Sequence, residues 1–177
     1  INTNYDVIVL GGGMVGLSIC NQIKTHYPDL TILLIEKESS LGKHSSGRNS
    51  GVLHAGIYYK PGTLKAKVSV EGASRLKQWI EDRGLPINKC GKVIVPPKIE
   101  LDNQLDILQK RGIENGAEVE MWDEKQLKDF FTEAHSASGR ALWSPSTCVV
   151  KPLEVLKELE KELVNKGLKI IKNVIHF

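Results

Sequence analysis

Two short apolar runs near the start of the chain predict buried strands on either side of a helix. Residues 6–10 and 31–35 are rich in β-branched side chains, which is typical of strands buried in a parallel sheet. Between them Val15, Ile19 and Ile23 recur at every fourth position and indicate a helix. The three elements together have the length of one βαβ unit.

Residues 37–62 interrupt this pattern and predict a long loop rich in Ser, Gly and Asn. A loop of this length inside a compact domain is uncommon unless it has a function. Periodic patterns then return. They predict a helix from the N-cap Thr63 to about Asp82, a strand at 92–95, helices at 101–111 and 124–131, strand segments at 141–143 and 148–150, an amphipathic helix around 155–163, and a strand at 168–171.

Composition narrows the class of protein without naming a function. The 177 residues are 41% hydrophobic and carry a net charge of +3, which excludes a disordered chain and gives no reason to expect a nucleic-acid partner. Cys20, Cys90 and Cys148 lie far apart and have no metal-ligand spacing with the histidines, so we expect no metal site and a reducing compartment. The uncharged stretch at residues 7–20 is too short to span a bilayer. These features favour a cytoplasmic protein.

A glycine motif lies between the first predicted strand and helix. Gly11, Gly13 and Gly16 form the spacing G-x-G-x-x-G, and Glu36 follows Gly16 by 20 residues at the end of the second strand. This is the dinucleotide-binding fingerprint in its expected context, with the pyrophosphate on the helix N-terminus and the acidic residue on a ribose. A carboxylate disfavours a 2′-phosphate, so the motif predicts FAD or NAD rather than NADP and does not choose between the two.

The loop at residues 43–59 favours FAD, because its small and hydrogen-bonding side chains can follow a long flavin cofactor past its pyrophosphate. Five segments, at residues 11–17, 36–38, 48–62, 64–67 and 90–95, resemble the FAD-dependent L-2-hydroxyglutarate oxidases and dehydrogenases, within the D-amino-acid oxidase and glycerol-3-phosphate dehydrogenase class of flavoproteins. The resemblance covers essentially the whole chain. Such enzymes are more than twice as long, so we expect an N-terminal portion that is inactive by itself.

The resemblance implies an α/β fold: a Rossmann-like FAD-binding domain with a parallel βαβ sheet and an inserted α+β substrate domain. We place the first part of the FAD-binding domain at residues 1–84, part of the substrate domain at 85–150, and the return to the FAD-binding domain at 151–177. The cofactor-binding residues that it implies lie in the glycine turn, the second strand end, the long loop and the last strand exit. They are Gly11, Gly13, Gly16, Glu36, Lys37, His44, Ser46, Arg48, Asn49, Ser50, Gly51 and Val174.

His54 matches a histidine near the flavin ring and is the predicted catalytic base. Its ordinary pKa suits this role, although a histidine in a glycine-rich loop can also be a solvated or capping residue. The resemblance implies oxidation of a 2-hydroxy acid, foremost L-2-hydroxyglutarate to 2-oxoglutarate: His54 takes the hydroxyl proton and a hydride passes from Cα to flavin N5.

Several points stay open at this stage. Oxygen or a membrane quinone would be the electron acceptor, which leaves room for a peripheral membrane contact and, in a eukaryote, for a mitochondrial location. Related flavoproteins attach flavin through a histidine in this region, so covalent and free flavin are both open. The alternative functions are a glycerol-3-phosphate dehydrogenase-like enzyme, an amino-acid oxidase, and a dinucleotide-binding module without catalysis.

Overall fold

The computed structural model describes residues 4–174. These divide into two compact units, one formed by residues 4–51 together with 151–174 and the other by residues 52–150. The elements in chain order are β1 Val7–Leu10, α1 Met14–His26, β2 Ile32–Ile35, β3 Val52–Leu53, α2 Leu64–Glu81, β4 Ile87–Asn88, β5 Lys92–Ile94, a 3₁₀ turn Ile99–Leu101, α3 Asn103–Glu114, β6 Glu120–Asp123, α4 Glu124–Phe130, β7 Arg140–Ser144, β8 Cys148–Val150, α5 Pro152–Asn165 and β9 Lys169–Ile171.

The first unit confirms the predicted α/β architecture. Its sheet is parallel, in the order β1-β2-β9, with Val7 opposite Ile32 and Leu33 opposite Lys169. Helices α1 and α5 pack against each other. The core of the unit consists of Leu17, Cys20, Ile32, Leu34, Val155, Leu156, Leu159, Leu163 and Leu168. The predicted βαβ unit is therefore present, and its return strand comes from the far end of the chain.

Helix α1 turns a different face to the core from the one that its apolar spacing predicts. Gly16, Leu17 and Cys20 are buried, whereas Val15 and Ile19 are 73% and 45% exposed. The reason is the close approach at Gly16, because a Cβ there would lie 2.0 Å from the carbonyl oxygen of Gly11. Gly16 therefore determines which face of α1 is buried, and a pattern of large apolar residues does not reveal it.

The second unit contains two small antiparallel sheets, in the orders β3-β8-β4 and β5-β7-β6. Helix α2 begins where predicted, because the hydroxyl of Thr63 accepts the Ala66 N–H at 3.2 Å. Trp122, Leu127 and Ala141 form a buried cluster on the second of these sheets.

The division of the chain differs from the predicted domain boundaries at one point. The return at residue 151 coincides, but the first boundary falls after residue 51 rather than after residue 84. Helix α2 accounts for the difference, because it packs against β4 and so belongs to the second unit. The assignment of cofactor and substrate roles to these segments stays a prediction.

Candidate functional site

The glycine turn between β1 and α1 is held by backbone contacts that only glycine permits. Gly11 adopts a φ of +97° and donates its N–H to the carbonyl of Ile35 at 2.8 Å. Gly16 lies so close to the Gly11 carbonyl that no side chain fits. The turn therefore brings the N-terminus of α1 directly onto the ends of β1 and β2.

Glu36 ties this turn to the end of β2. Its side chain is buried, Oε2 accepts the N–H of Gly12 at 2.6 Å, and Oε1 accepts the N–H of Glu38 at 2.9 Å. An ionised carboxylate has about four acceptor positions. Two are used here, so each oxygen can still accept a hydroxyl group. Gly12 was not predicted as a site residue, and the only signal for it is the run of three glycines.

A cleft of about 330 Å³ opens at the carboxyl ends of β1 and β2. It is lined by Leu10, Gly11, Ile35, Glu36, Lys37 and His44. This is the position at which parallel α/β sheets bind ligands. Four predicted cofactor residues thus meet around one cavity, with the Glu36 carboxylate in its wall.

Ser46 brings the long loop onto the helix N-terminus. Its Oγ accepts the Met14 N–H at 3.0 Å, and a Cβ on Gly13 would lie 2.9 Å from that oxygen. The first turn of α1 carries no acidic residue. The positive end of the helix dipole is therefore available to an anion, and a phosphate is its usual ligand.

The remaining loop residues have different roles in the structure. Asn49 organises the loop, because its amide donates to the carbonyls of Ser45 and Ser46 and its oxygen accepts the Gly51 N–H. His44 Nε2 lies 2.9 Å from Oε1 of Glu38, and this contact lowers the pKa of that carboxyl.

Three predicted cofactor residues remain to be located. The exposed guanidinium of Arg48 has no hydrogen bond or ion pair to any residue in the range 4–174. Ser50 is also exposed. Val174 lies beside β2, where its N–H donates to the carbonyl of Glu36 at 3.2 Å.

His54 lies in the second unit, directly after β3. Its ring meets the Tyr58 ring edge-on, with centroids 5.5 Å apart at 89°. Burial lowers the pKa of His54, and the positive charge of Lys92 lowers it further. The imidazole is therefore biased toward the neutral form, which is the form that accepts a proton.

The turn that carries His54 is supported by a residue that sequence reasoning missed. Asn115 follows α3, and its amide donates to the carbonyls of Gly56 at 2.8 Å and Tyr59 at 2.9 Å. Ile57, which lies between Gly56 and Tyr59 in the sequence, is buried. More than 50 residues separate Asn115 from the turn, so no local motif indicates the contact.

A parallel βαβ unit whose glycine turn is closed by a buried carboxylate defines a dinucleotide-binding protein of the Rossmann type. The chain belongs to the FAD-dependent oxidoreductase family, whose model matches residues 6–177. Membership confirms the predicted fold class and the choice of FAD over NAD.

Relatives in this family are similar along most of the chain. The mitochondrial L-2-hydroxyglutarate dehydrogenase of Caenorhabditis briggsae is 42% identical over 167 residues, which is 94% of this chain and 38% of the relative. The human protein of the same name is 33% identical over 97% of this chain and 37% of its own length. A solved L-α-glycerophosphate oxidase of Mycoplasma pneumoniae with FAD bound matches 96% of this chain and 44% of its own, with 25% identity and a TM-score of 0.84.

The chain thus spans about two-fifths of the length of these proteins. The substrates in the names of these relatives support a proposal about this protein, which follows.

Proposed function

We propose that the protein containing this chain oxidises a 2-hydroxy acid, foremost L-2-hydroxyglutarate to 2-oxoglutarate, with FAD as cofactor. The main support for this choice of substrate is the 42% sequence identity to an L-2-hydroxyglutarate dehydrogenase over 94% of the chain. The half-buried His54, whose lowered pKa favours a neutral base, supports a reaction that begins by removing a hydroxyl proton.

The residues of the first unit fit the adenosine diphosphate half of FAD. Glu36 faces the cleft with unused acceptor positions for the two ribose hydroxyls, and the N-terminus of α1 offers its dipole to the pyrophosphate. Gly13 allows close approach because it has no side chain, and a Cβ there would lie 2.9 Å from Ser46 Oγ. Lys37, Arg48, Ser50, Gly51 and Val174 complete the proposed contacts.

In the proposed mechanism His54 accepts the substrate hydroxyl proton at an imidazole nitrogen. Tyr58 packs on the ring and restricts its orientation. Asn115 fixes the backbone turn between them. When bound, the flavin supplies the acceptor, at N5, for the hydride that leaves Cα. The chain's own contribution is therefore to hold a half-buried base that is biased toward its neutral form.

A glycerol-3-phosphate oxidase-like activity is the second candidate, favoured by the structural match to the L-α-glycerophosphate oxidase. A steady-state assay of the purified holoenzyme separates the two. It compares L-2-hydroxyglutarate, D-2-hydroxyglutarate, glycerol 3-phosphate and a mixture of L- and D-amino acids. We expect turnover with L-2-hydroxyglutarate alone. Turnover with glycerol 3-phosphate or an amino acid instead would refute the proposed substrate, and FAD binding without any turnover would favour a non-catalytic module.

The electron acceptor and the membrane contact belong to the same proposal. Within the described residues no helix is both long and apolar enough to cross a membrane. We propose a quinone or oxygen as electron acceptor, with a peripheral membrane contact in the first case. The rate with a soluble quinone under anaerobic conditions, compared with the rate in air, distinguishes these acceptors.

A further inference from the structure

Three half-buried side chains of different chemistry converge in the second unit. The His54 ring lies 5.5 Å from the Tyr58 ring, centroid to centroid, and the Lys92 ammonium lies 4.7 Å from the centroid of the same tyrosine. A base and a cation therefore share one aromatic ring.

Lys92 is fixed in place by the backbone that carries it. It begins β5, opposite Ser144 of β7. Gly91 before it has a φ of +65° and donates its N–H to the Thr147 carbonyl at 3.0 Å. It lies against the Trp143 ring, where a Cβ would approach to 2.1 Å. The start of the strand has little freedom, so rigid neighbours set the backbone position of Lys92, and its ammonium lies over the Tyr58 ring.

The ammonium of Lys92 has no acidic partner. Within the part of the chain that the structure describes it makes no ion pair or hydrogen bond, whereas Lys89 on the same segment pairs with Glu81 at 2.6 Å. Lys92 is half-buried, and the face of a tyrosine compensates its charge only in part, so the ammonium keeps donors free for a ligand. The position is suited to a bound anion.

We propose that Lys92 binds the C1 carboxylate of the 2-hydroxy acid and so places the neighbouring hydroxyl at His54, an inference that rests on the proposed function. In a 2-hydroxy acid the carboxylate is bonded to the carbon that bears the hydroxyl, so a cation beside the base holds both groups. A charge-assisted hydrogen bond is short and strong enough to orient a small substrate. The same charge acts on the base, since it contributes to the lowered pKa of His54.

The test compares Lys92→Met and Lys92→Arg with the unmodified holoenzyme, and uses Lys89→Met as the matched control. The assays measure FAD content, kcat and KM for L-2-hydroxyglutarate and for its C1 amide, and inhibition by 2-oxoglutarate. For Lys92→Met we expect KM for the acid and the inhibition constant of 2-oxoglutarate to rise about 10- to 100-fold, as loss of a hydrogen bond to a charged group predicts. At a pH on the plateau of every variant, FAD content and kcat/KM for the amide stay unchanged. Lys92→Arg recovers part of the loss, and Lys89→Met resembles the unmodified enzyme.

The pH profile gives a readout that a purely structural role would not move. Of the charged groups in residues 4–174, Lys92 is the one whose field acts on His54, with Tyr58 as its aromatic neighbour. Removing the charge should move the rising limb of kcat/KM to higher pH.

Two results would overturn the inference while leaving the proposed function intact: an unchanged KM for the acid, or equal losses for the acid and the amide. Absence of turnover in the unmodified holoenzyme would instead refute the proposed function and the substrate assigned to Lys92 together.

Discussion

His54 is the residue on which the proposed chemistry depends most. Replacing it by Gln keeps a polar side chain of similar reach but removes the base. We expect kcat to fall about 10²- to 10⁴-fold, the usual contribution of general base catalysis. FAD content should be unchanged, because the predicted nucleotide contacts lie on other residues. His135→Gln is the control, since this histidine is exposed and lies in an ion pair with Glu124 in the second unit. Equal turnover of the two variants would remove His54 from the mechanism.

The lowered pKa of His54 leads to a separate prediction about pH. A base is active when neutral, and burial followed by the Lys92 charge extends the neutral form to lower pH. The value of kcat/KM should therefore rise with pH and reach half its plateau below the ordinary pKa of histidine. The profile of the unmodified holoenzyme between acidic and neutral pH measures this. A half-rise at or above the ordinary value would contradict the predicted environment of the ring.

Glu36 is the residue on which the proposed nucleotide binding depends most. Both of its oxygens accept backbone N–H groups, from Gly12 and Glu38, and an amide has only one oxygen. Glu36→Gln should leave one N–H unsatisfied, distort the turn and weaken FAD binding by about tenfold or more. Fluorescence titration of the apoprotein with FAD measures the change. Glu71→Gln is the control, because Glu71 pairs with Arg75 on the exposed surface of α2. Unchanged affinity in Glu36→Gln would contradict the proposed ribose contact.

At the scale of single elements, two glycines in helices should respond in opposite directions to alanine. A Cβ on Gly16 would lie 2.0 Å from a backbone oxygen, whereas a Cβ on Gly72 of α2 would meet nothing within 4 Å. We expect Gly16→Ala to lower the free energy of unfolding by about 1–3 kcal/mol, as overpacking does. Gly72→Ala should raise it by about 0.5–1 kcal/mol, because alanine is the better helix former. Denaturant unfolding of both holoenzyme variants measures the difference, and equal stabilities would contradict the tight turn.

The elements show where sequence patterns succeed and fail. Local signals predicted several elements correctly. The apolar runs predicted the strands at 6–10 and 31–35, the N-cap predicted the start of α2, and motif spacing predicted that Glu36 ends the second strand. The buried face of α1 did not follow, because the contact of Gly16 with Gly11 overrides the apolar spacing. Asn115 and Lys92 could not be found either, since their contacts with the His54 turn join distant parts of the chain.

For the whole molecule, the sequence predicted the class of fold, whereas the end of the first compact unit at residue 51 has no local sequence signal. Helix α2 follows the long loop directly, so its amphipathic pattern cannot tell which unit it packs on. Packing against β4, a short strand with a weak sequence signal, decides the matter.

The proposed activity likewise belongs to the whole protein. Residues 4–51 and 151–174 hold the glycine turn and Glu36, whereas residues 52–150 hold His54 and Lys92. The proposed adenosine diphosphate contacts and the predicted base therefore lie in different units. It follows that FAD binding and substrate oxidation can be impaired separately by mutation.

Anaerobic addition of L-2-hydroxyglutarate to the purified holoenzyme tests the central claim most directly. The protein should be yellow. We predict that its visible flavin absorption is bleached by this substrate with formation of one equivalent of 2-oxoglutarate, and is left unchanged by glycerol 3-phosphate or amino acids. A colourless protein that binds NAD, or a flavin band that L-2-hydroxyglutarate leaves unchanged, would contradict the account.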